Sequence, residues 1–233
     1  MGAKGAKNLG RTITAAEYQL LLEGSQNDHM LHLYVLLGGD CGLRPDSETM
    51  TLRWDDIDFV ARRFDVVHDP DGERGSTKTG TRSVPMTRSV FSALLAQQAR
   101  ARCHGSPWVF AHPPLTASDR PSKRAGERFV TLRSRFSELC GEVGLQYGST
   151  VRNPDGKLVQ GVVPYSLRHY CATRMILAGN ALALIAQGLG TSERVLKEHY
   201  SHITPDDLDQ LVADSWTDAT SSEDGVLPFA SGA

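Results

Sequence analysis

The chain has 233 residues, enough for one large domain with a real core, and its 40% hydrophobic and 22% charged residues are ordinary for a globular protein in water. No apolar run reaches the ~18 residues of a membrane span, and the leading MGAKGAKNLGRT is basic without the apolar stretch of a secretory signal, so neither is expected. The net charge of −2 hides an asymmetry. Seven acids and no Lys or Arg lie in residues 205–233, and the remaining body carries 25 basic against 20 acidic residues. A basic body with an acidic tail is compatible with phosphate contacts, although a solvated charged surface has the same composition.

In chain order, residues 1–12 read as a flexible lead and Thr14-Ala-Ala-Glu17 as a capping box opening a helix through Leu22. The apolar run 30–43 predicts a buried helix ending near Gly38-Gly39, and residues 47–54 a further short helix. DIDF, RFDVV and STKTGTRSVPM predict three short strands, with Thr79-Gly80 at a hairpin tip. A helix over 89–102 follows, then a loop over 112–126 and a basic amphipathic helix over 127–144. VRNPDGKLVQG carries a turn signal at NPDG, and two helices split by Gly179-Asn180 lead to a third, SERVLKEHY, with Ser192 as its cap. The absence of strand–helix–strand alternation predicts an α+β class, mostly α-helical with a small three-stranded antiparallel sheet. Cys41, Cys103, Cys140 and Cys171 have no CxxC spacing, which predicts reduced thiols in a cytoplasmic protein. The pairs His29/His32 and His199/His202 lack a companion cysteine or carboxylate pattern, so no metal site is expected.

Several residues together offer the parts for cutting a phosphodiester without a metal. Arg44 follows the apolar helix, Lys78 sits in the hairpin, Arg168 in the first turn of a helix, Thr191 at a helix start, and Tyr200 nine residues later. Two guanidiniums can grip the non-bridging oxygens and stabilise the pentavalent state. A lysine can protonate the departing 5′ oxygen, and a tyrosine hydroxyl can attack phosphorus to leave a covalent ester. Each residue also has a plain structural use: Arg44 as a cap, Lys78 as an edge charge, Arg168 in an ion pair, Tyr200 as a packed ring and Thr191 as an N-cap.

The order of the blocks carries more than any one residue. SLRHYCATRMILAGNALALIAQGLGTSERVLKEHYSH resembles the C-terminal block of the tyrosine recombinase (phage integrase) family, with intervals of 23 residues from Arg168 to Thr191 and nine from Thr191 to Tyr200. GLRPDSE…LRWDDID resembles the family's first-arginine block, and TKTGTRSVP its lysine hairpin. The resemblance implies a catalytic domain over residues 13–205, followed by an acidic tail over 206–233. It implies Tyr200 as nucleophile, Arg44 and Arg168 as phosphate clamp, Lys78 as general acid, no cofactor, double-stranded DNA as partner and a homotetramer on two DNA sites. The family usually carries a helical core-binding domain ahead of the catalytic one.

Three positions depart from the family pattern. Tyr165 stands where His or Lys is usual; a phenol can hydrogen-bond a phosphate but is a poor base at neutral pH. Thr191 stands where His or Trp is usual, and His199 and His202 are candidates for the missing imidazole as a proton relay. The Arg44–Glu48 interval is one residue longer than usual. Arg120, Lys123, Arg124 and Arg128 are the candidate DNA-binding residues. The competing readings are a catalytically impaired DNA-binding relative acting as regulator or remnant, an unrelated helical interaction domain, and a topoisomerase of the same chemistry.

Overall fold

A computed structural model describes residues 10–73, 80–101, 105–114 and 121–200, with the side chains of His199 and Tyr200 outside the described set. Among the described residues, seven α-helices and five short strands follow one another as α1 (Ala15–Ser25), α2 (His29–Gly39), β1 (Ile57–Asp58), β2 (Arg63–Val66), β3 (Arg82–Pro85), α3 (Arg88–Ala101), α4 (Arg133–Glu142), β4 (Val151–Arg152), β5 (Leu158–Val159), α5 (Pro164–Leu177), α6 (Leu182–Leu189) and α7 (Glu193–Tyr200). The strands β1-β2-β3 form one antiparallel sheet in that order, as the sequence predicts, with Ile57 opposite Phe64 and Phe64 opposite Val84.

The apolar run that predicted a buried helix becomes α2, the centre of the fold. Nine of its eleven residues are buried, and fully burying a leucine there contributes on the order of 2 kcal/mol. Asp28 caps its start by accepting from the Leu31 N–H at 3.1 Å. Helices α1, α3 and α5 pack around it. Gly38 and Gly39 make that crowding feasible: a Cβ on Gly38 would lie 2.9 Å from Leu167 of α5, and one on Gly39 would lie 2.2 Å from the Tyr18 ring of α1. Asp40, just beyond, accepts from the Tyr18 hydroxyl and the Thr87 hydroxyl, each at 2.9 Å, and so ties α1 and the start of α3 to the end of α2. The Thr14–Glu17 capping box is formed in both directions.

Two expected helices are corrected. The segment 47–54 holds a single π-helical turn, Pro45–Thr49, and then a 3-10 turn, Trp54–Asp56. Of 127–144, only Arg133–Glu142 is helical. The run before it is extended, because Arg128 bridges Ala111 and the Phe129 N–H reaches the Phe110 carbonyl at 2.9 Å. Helical periodicity there gave way to pairing with a strand-like segment some eighteen residues upstream. The NPDG turn closes a second, two-stranded hairpin, β4-β5, with Lys157 N–H donating to Asn153 Oδ1 at 2.8 Å. Gly179-Asn180 separates α5 from α6, and the Ser192 hydroxyl accepts from the Val195 N–H of α7, both as expected.

Candidate active site

The first arginine block begins with a turn that only glycine serves. Gly42 has φ +67, and a Cβ there would stand 2.2 Å from Leu189. Its carbonyl thereby faces Arg168. The π-helical turn then accommodates the extra residue of GLRPDSE. Thr49 N–H donates to the Arg44 carbonyl at 3.0 Å, five residues back, so one residue bulges and Glu48 still returns to Arg44. Arg44 N–H donates to Glu48 Oε2 at 2.9 Å, and its Nη1 donates to Glu48 Oε1.

Glu48 is 2% exposed and serves three guanidiniums. Arg82 donates to both of its oxygens, from Nη1 at 3.0 Å and Nη2 at 2.7 Å. Arg168 Nη1 lies 3.6 Å from Oε2, an ion pair beyond hydrogen-bond length. Burial alone would raise the Glu48 carboxyl, but the hydrogen bonds and charge of Arg82, with Arg168 and Arg44 nearby, hold it below the usual carboxylate range. Burial, followed by the charge of Arg44, pulls Arg168 below the ordinary arginine value, and Tyr165 and Glu48 oppose them.

The three arginines also share one helix end. Helix α6 stops at Gly190 in the left-handed conformation (φ 61, ψ 55). Thr191 N–H reaches back to the Ala186 carbonyl at 2.9 Å and Gly190 N–H to Gln187 at 3.1 Å, the 6→1 and 5→2 bonds of a Schellman cap. The next three carbonyls are taken by arginines. Arg82 Nε donates to Gly188 at 3.0 Å, Arg168 Nη2 to Leu189 at 2.5 Å, and Arg44 Nη2 to Gly190 at 2.6 Å. Cations here complement the negative end of the α6 dipole.

The expected clamp, Arg44 and Arg168, is thus brought together. Arg168 is not in the first turn of its helix but on the fifth residue of α5, buried at 5% exposure. Its partners are Glu48 and the carbonyls of Gly42 and Leu189 rather than helix-terminal N–H groups. Tyr165, half-buried one turn before it, has its ring centroid 6.0 Å from the Arg168 guanidinium carbon and 5.3 Å from the His169 ring. Thr191 is half-buried beside Gly190. Tyr200 and His199 close α7, and Lys78, His202 and Arg120 lie outside the described residues. Lys123 is exposed; Arg124 pairs with Glu127 at 2.8 Å, and Arg128 lies 5.2 Å from the Trp108 ring centroid. Among the described residues no group of three His, Cys, Asp or Glu side chains is placed to hold a metal, and no helix is long and apolar enough to cross a membrane.

Sequence reasoning held Arg82 only inside the TKTGTRSVP motif and Glu48 only inside GLRPDSE. Alternation carried the missing signal for Arg82: Val84 of β3 faces the core, so a residue two positions earlier does too.

A sequence profile described as the phage integrase family matches residues 11–206. The chain belongs to the phage integrase family. Its likeness to solved structures agrees. The XerA recombinase superposes with a TM-score of 0.62 at 19% identity, covering 91% of this chain and 65% of that one. The Tn1549 transposon integrase in complex with transposon right end DNA gives 0.59 at 18% identity, covering 94% and 69%. The catalytic domain of bacteriophage HP1 integrase gives 0.50 at 17% identity, covering 87% and 94%. At these identities the likeness establishes the fold, that of an integrase catalytic domain. The chain spans about two thirds of the length of the first two. No curated protein matches by sequence search.

Proposed function

We propose that this chain is a catalytically competent site-specific DNA recombinase domain, which cuts and rejoins double-stranded DNA through a 3′-phosphotyrosyl link on Tyr200. The observation that supports this best is the fixing of Arg44 and Arg168 on one buried carboxylate and on the adjacent carbonyls of Gly190 and Leu189. Those carbonyls immediately precede Thr191 and the helix that ends in Tyr200.

In this reading the Tyr200 oxygen attacks phosphorus, its phenol proton passes to the His199 or His202 imidazole, and the bond to the 5′ oxygen breaks. Lys78 delivers the proton that the leaving oxygen needs. Arg44 and Arg168 donate to the non-bridging oxygens as charge grows on them; in a site closed to water, one such preorganised donor is worth ~100-fold or more in rate. Rejoining runs the same steps backwards with a 5′ hydroxyl as nucleophile. The ester conserves the bond energy, so the exchange requires no nucleotide cofactor. Tyr165 and Thr191 each offer a hydroxyl to the phosphate, and His199 and His202 are the nearest imidazoles in sequence to the nucleophile. Lys123, Arg124 and Arg128, with Arg120, would contact the DNA backbone, and a homotetramer on two sites would hold the exchanging strands. The second reading, a DNA-binding relative without cleavage, draws on Tyr165 and Thr191, which put no imidazole at either position.

Covalent trapping decides between them. Nicked suicide duplexes drawn from the DNA flanking the gene are incubated with the chain, and adducts are resolved on a denaturing gel. The expected result is an adduct with the wild type and none with Tyr200→Phe, both proteins binding DNA equally. Equal adduct from the two would remove Tyr200 as nucleophile; binding without any adduct would favour the non-cleaving reading.

A further inference from the structure

We propose that Arg82 is a positioning residue for strand cleavage: by saturating Glu48 and holding the end of α6, it keeps Arg44 and Arg168 aimed at the scissile phosphate. The assignment rests on the recombinase reading above. Arg82 is nearly as buried as Arg168 and more buried than Arg44, with 7% of its side chain exposed against 5% and 16%. All three of its nitrogens are committed inward, two to Glu48 and Nε to the Gly188 carbonyl. Its fork is spent on Glu48 and its Nε on Gly188, so its charge acts first on these neighbours.

Three features give that action a direction. One carboxylate faces three guanidiniums, and only Arg82 holds both oxygens by a fork. Arg168 stays 3.6 Å away, inside the field of Glu48 but outside hydrogen-bond length. Without the fork, the unsatisfied lone pairs of Glu48 would draw Arg168 inward, off the phosphate. Second, Arg82 secures Gly188, the first of three successive carbonyls whose other two orient Arg168 and Arg44. The same corner sets the entry of α7, which carries Tyr200. Third, Arg82 begins strand β3, four residues after Lys78, so its bond to Glu48 pins one leg of the lysine-bearing hairpin to the arginine pair. Arg82 is therefore the joint between the three sequence blocks that carry the proposed chemistry.

The test compares the wild type with Arg82→Lys, Arg82→Met and Arg82→Met combined with Glu48→Gln, using the trapping duplexes. Arg82→Lys keeps the charge and loses the fork. The expected result for Arg82→Lys is an adduct rate at saturating DNA lower by about 100-fold, with the half-saturating DNA concentration changed by less than about threefold. Arg82→Met is expected to gain an acid limb in its rate-against-pH profile, since Glu48 loses the partner that chiefly keeps it ionised, and the added Glu48→Gln is expected to abolish that limb. A wild-type adduct rate in Arg82→Lys would overturn the proposal. So would losses of rate, DNA affinity and melting temperature in step, which mark a residue that only holds the fold. If Arg82→Met does not fold, Arg82→Lys decides alone by the same split between rate and affinity. A wild type that binds DNA and forms no adduct overturns the recombinase reading itself, and with it this role, and is recognised before any variant is made.

Discussion

Arg82, with Arg74, Lys78 and Arg88 nearby in sequence, and Arg124, with Arg120, Lys123 and Arg128, come from basic stretches that look alike, and the structure treats the two residues oppositely. Arg82 is 7% exposed, committed to Glu48 and to a carbonyl 106 residues away. Arg124 is 54% exposed and pairs with Glu127, three positions along. Its neighbours follow suit: Arg133 pairs with Asp46 at 62% exposure, and Arg135 with Asp28 at 37%. A charge count treats the two regions as one property. Burial separates them, because a guanidinium out of water persists only where a carboxylate and carbonyls replace its hydration, whereas an exposed pair contributes little and is screened by salt. The buried cluster is accordingly the part whose geometry chemistry can rely on. The exposed stretch remains available to a polyanion.

The widest gap between the regions should come from Arg168→Ala. It strips the donor from the Gly42 and Leu189 carbonyls and removes a buried charge partner of Glu48, so a loss of about 3–5 kcal/mol in urea unfolding is expected, together with loss of adduct. A loss below about 1 kcal/mol would show that the cluster is no more demanding than a surface pair.

Glu48→Gln should follow, at about 2–3 kcal/mol at pH 7, since three guanidiniums lose their shared countercharge. Its pH dependence has a definite sign. The folded-state carboxyl lies below its ordinary value, so its contribution is complete above the unfolded value of 4.5 and fades as pH falls toward the folded one. The stability difference between wild type and Glu48→Gln should therefore shrink from pH 7 to pH 3. A difference that grows over that range would mean that Glu48 is protonated in the fold.

The smallest effect belongs to Arg124→Ala. Its exposed pair with Glu127 predicts a stability change within about 0.5 kcal/mol. If Arg124 meets a phosphate, the salt slope of DNA binding should drop by about one unit. An unchanged slope would take this residue out of the interface and leave the basic stretch as solvated surface at that point.

Much of this molecule was legible beforehand, for physical reasons that differ by element. The Thr14–Glu17 box and the Ser192 cap are local, and a hydroxyl finding an N–H within three residues needs no tertiary context. Helix α2 announced itself through apolar residues on every face. The helix expected over 127–144 shortened because residues 128–129 found strand partners at 110–111, and the helix expected over 47–54 became a π-helical turn because Glu48 had to reach Arg44 and Arg82.

The sequence by itself determined the elements whose causes are local and the order of the arginine, lysine and tyrosine blocks, which is what placed the chain in its family. Only the tertiary structure decided which carboxylate the arginines share, because Arg44 and the Gly190 carbonyl are 146 positions apart and Arg82 and Glu48 are 34. Charge has no address along a chain. Its partner is fixed when packing around α2 buries several guanidiniums at once and leaves Glu48 as their common counterion.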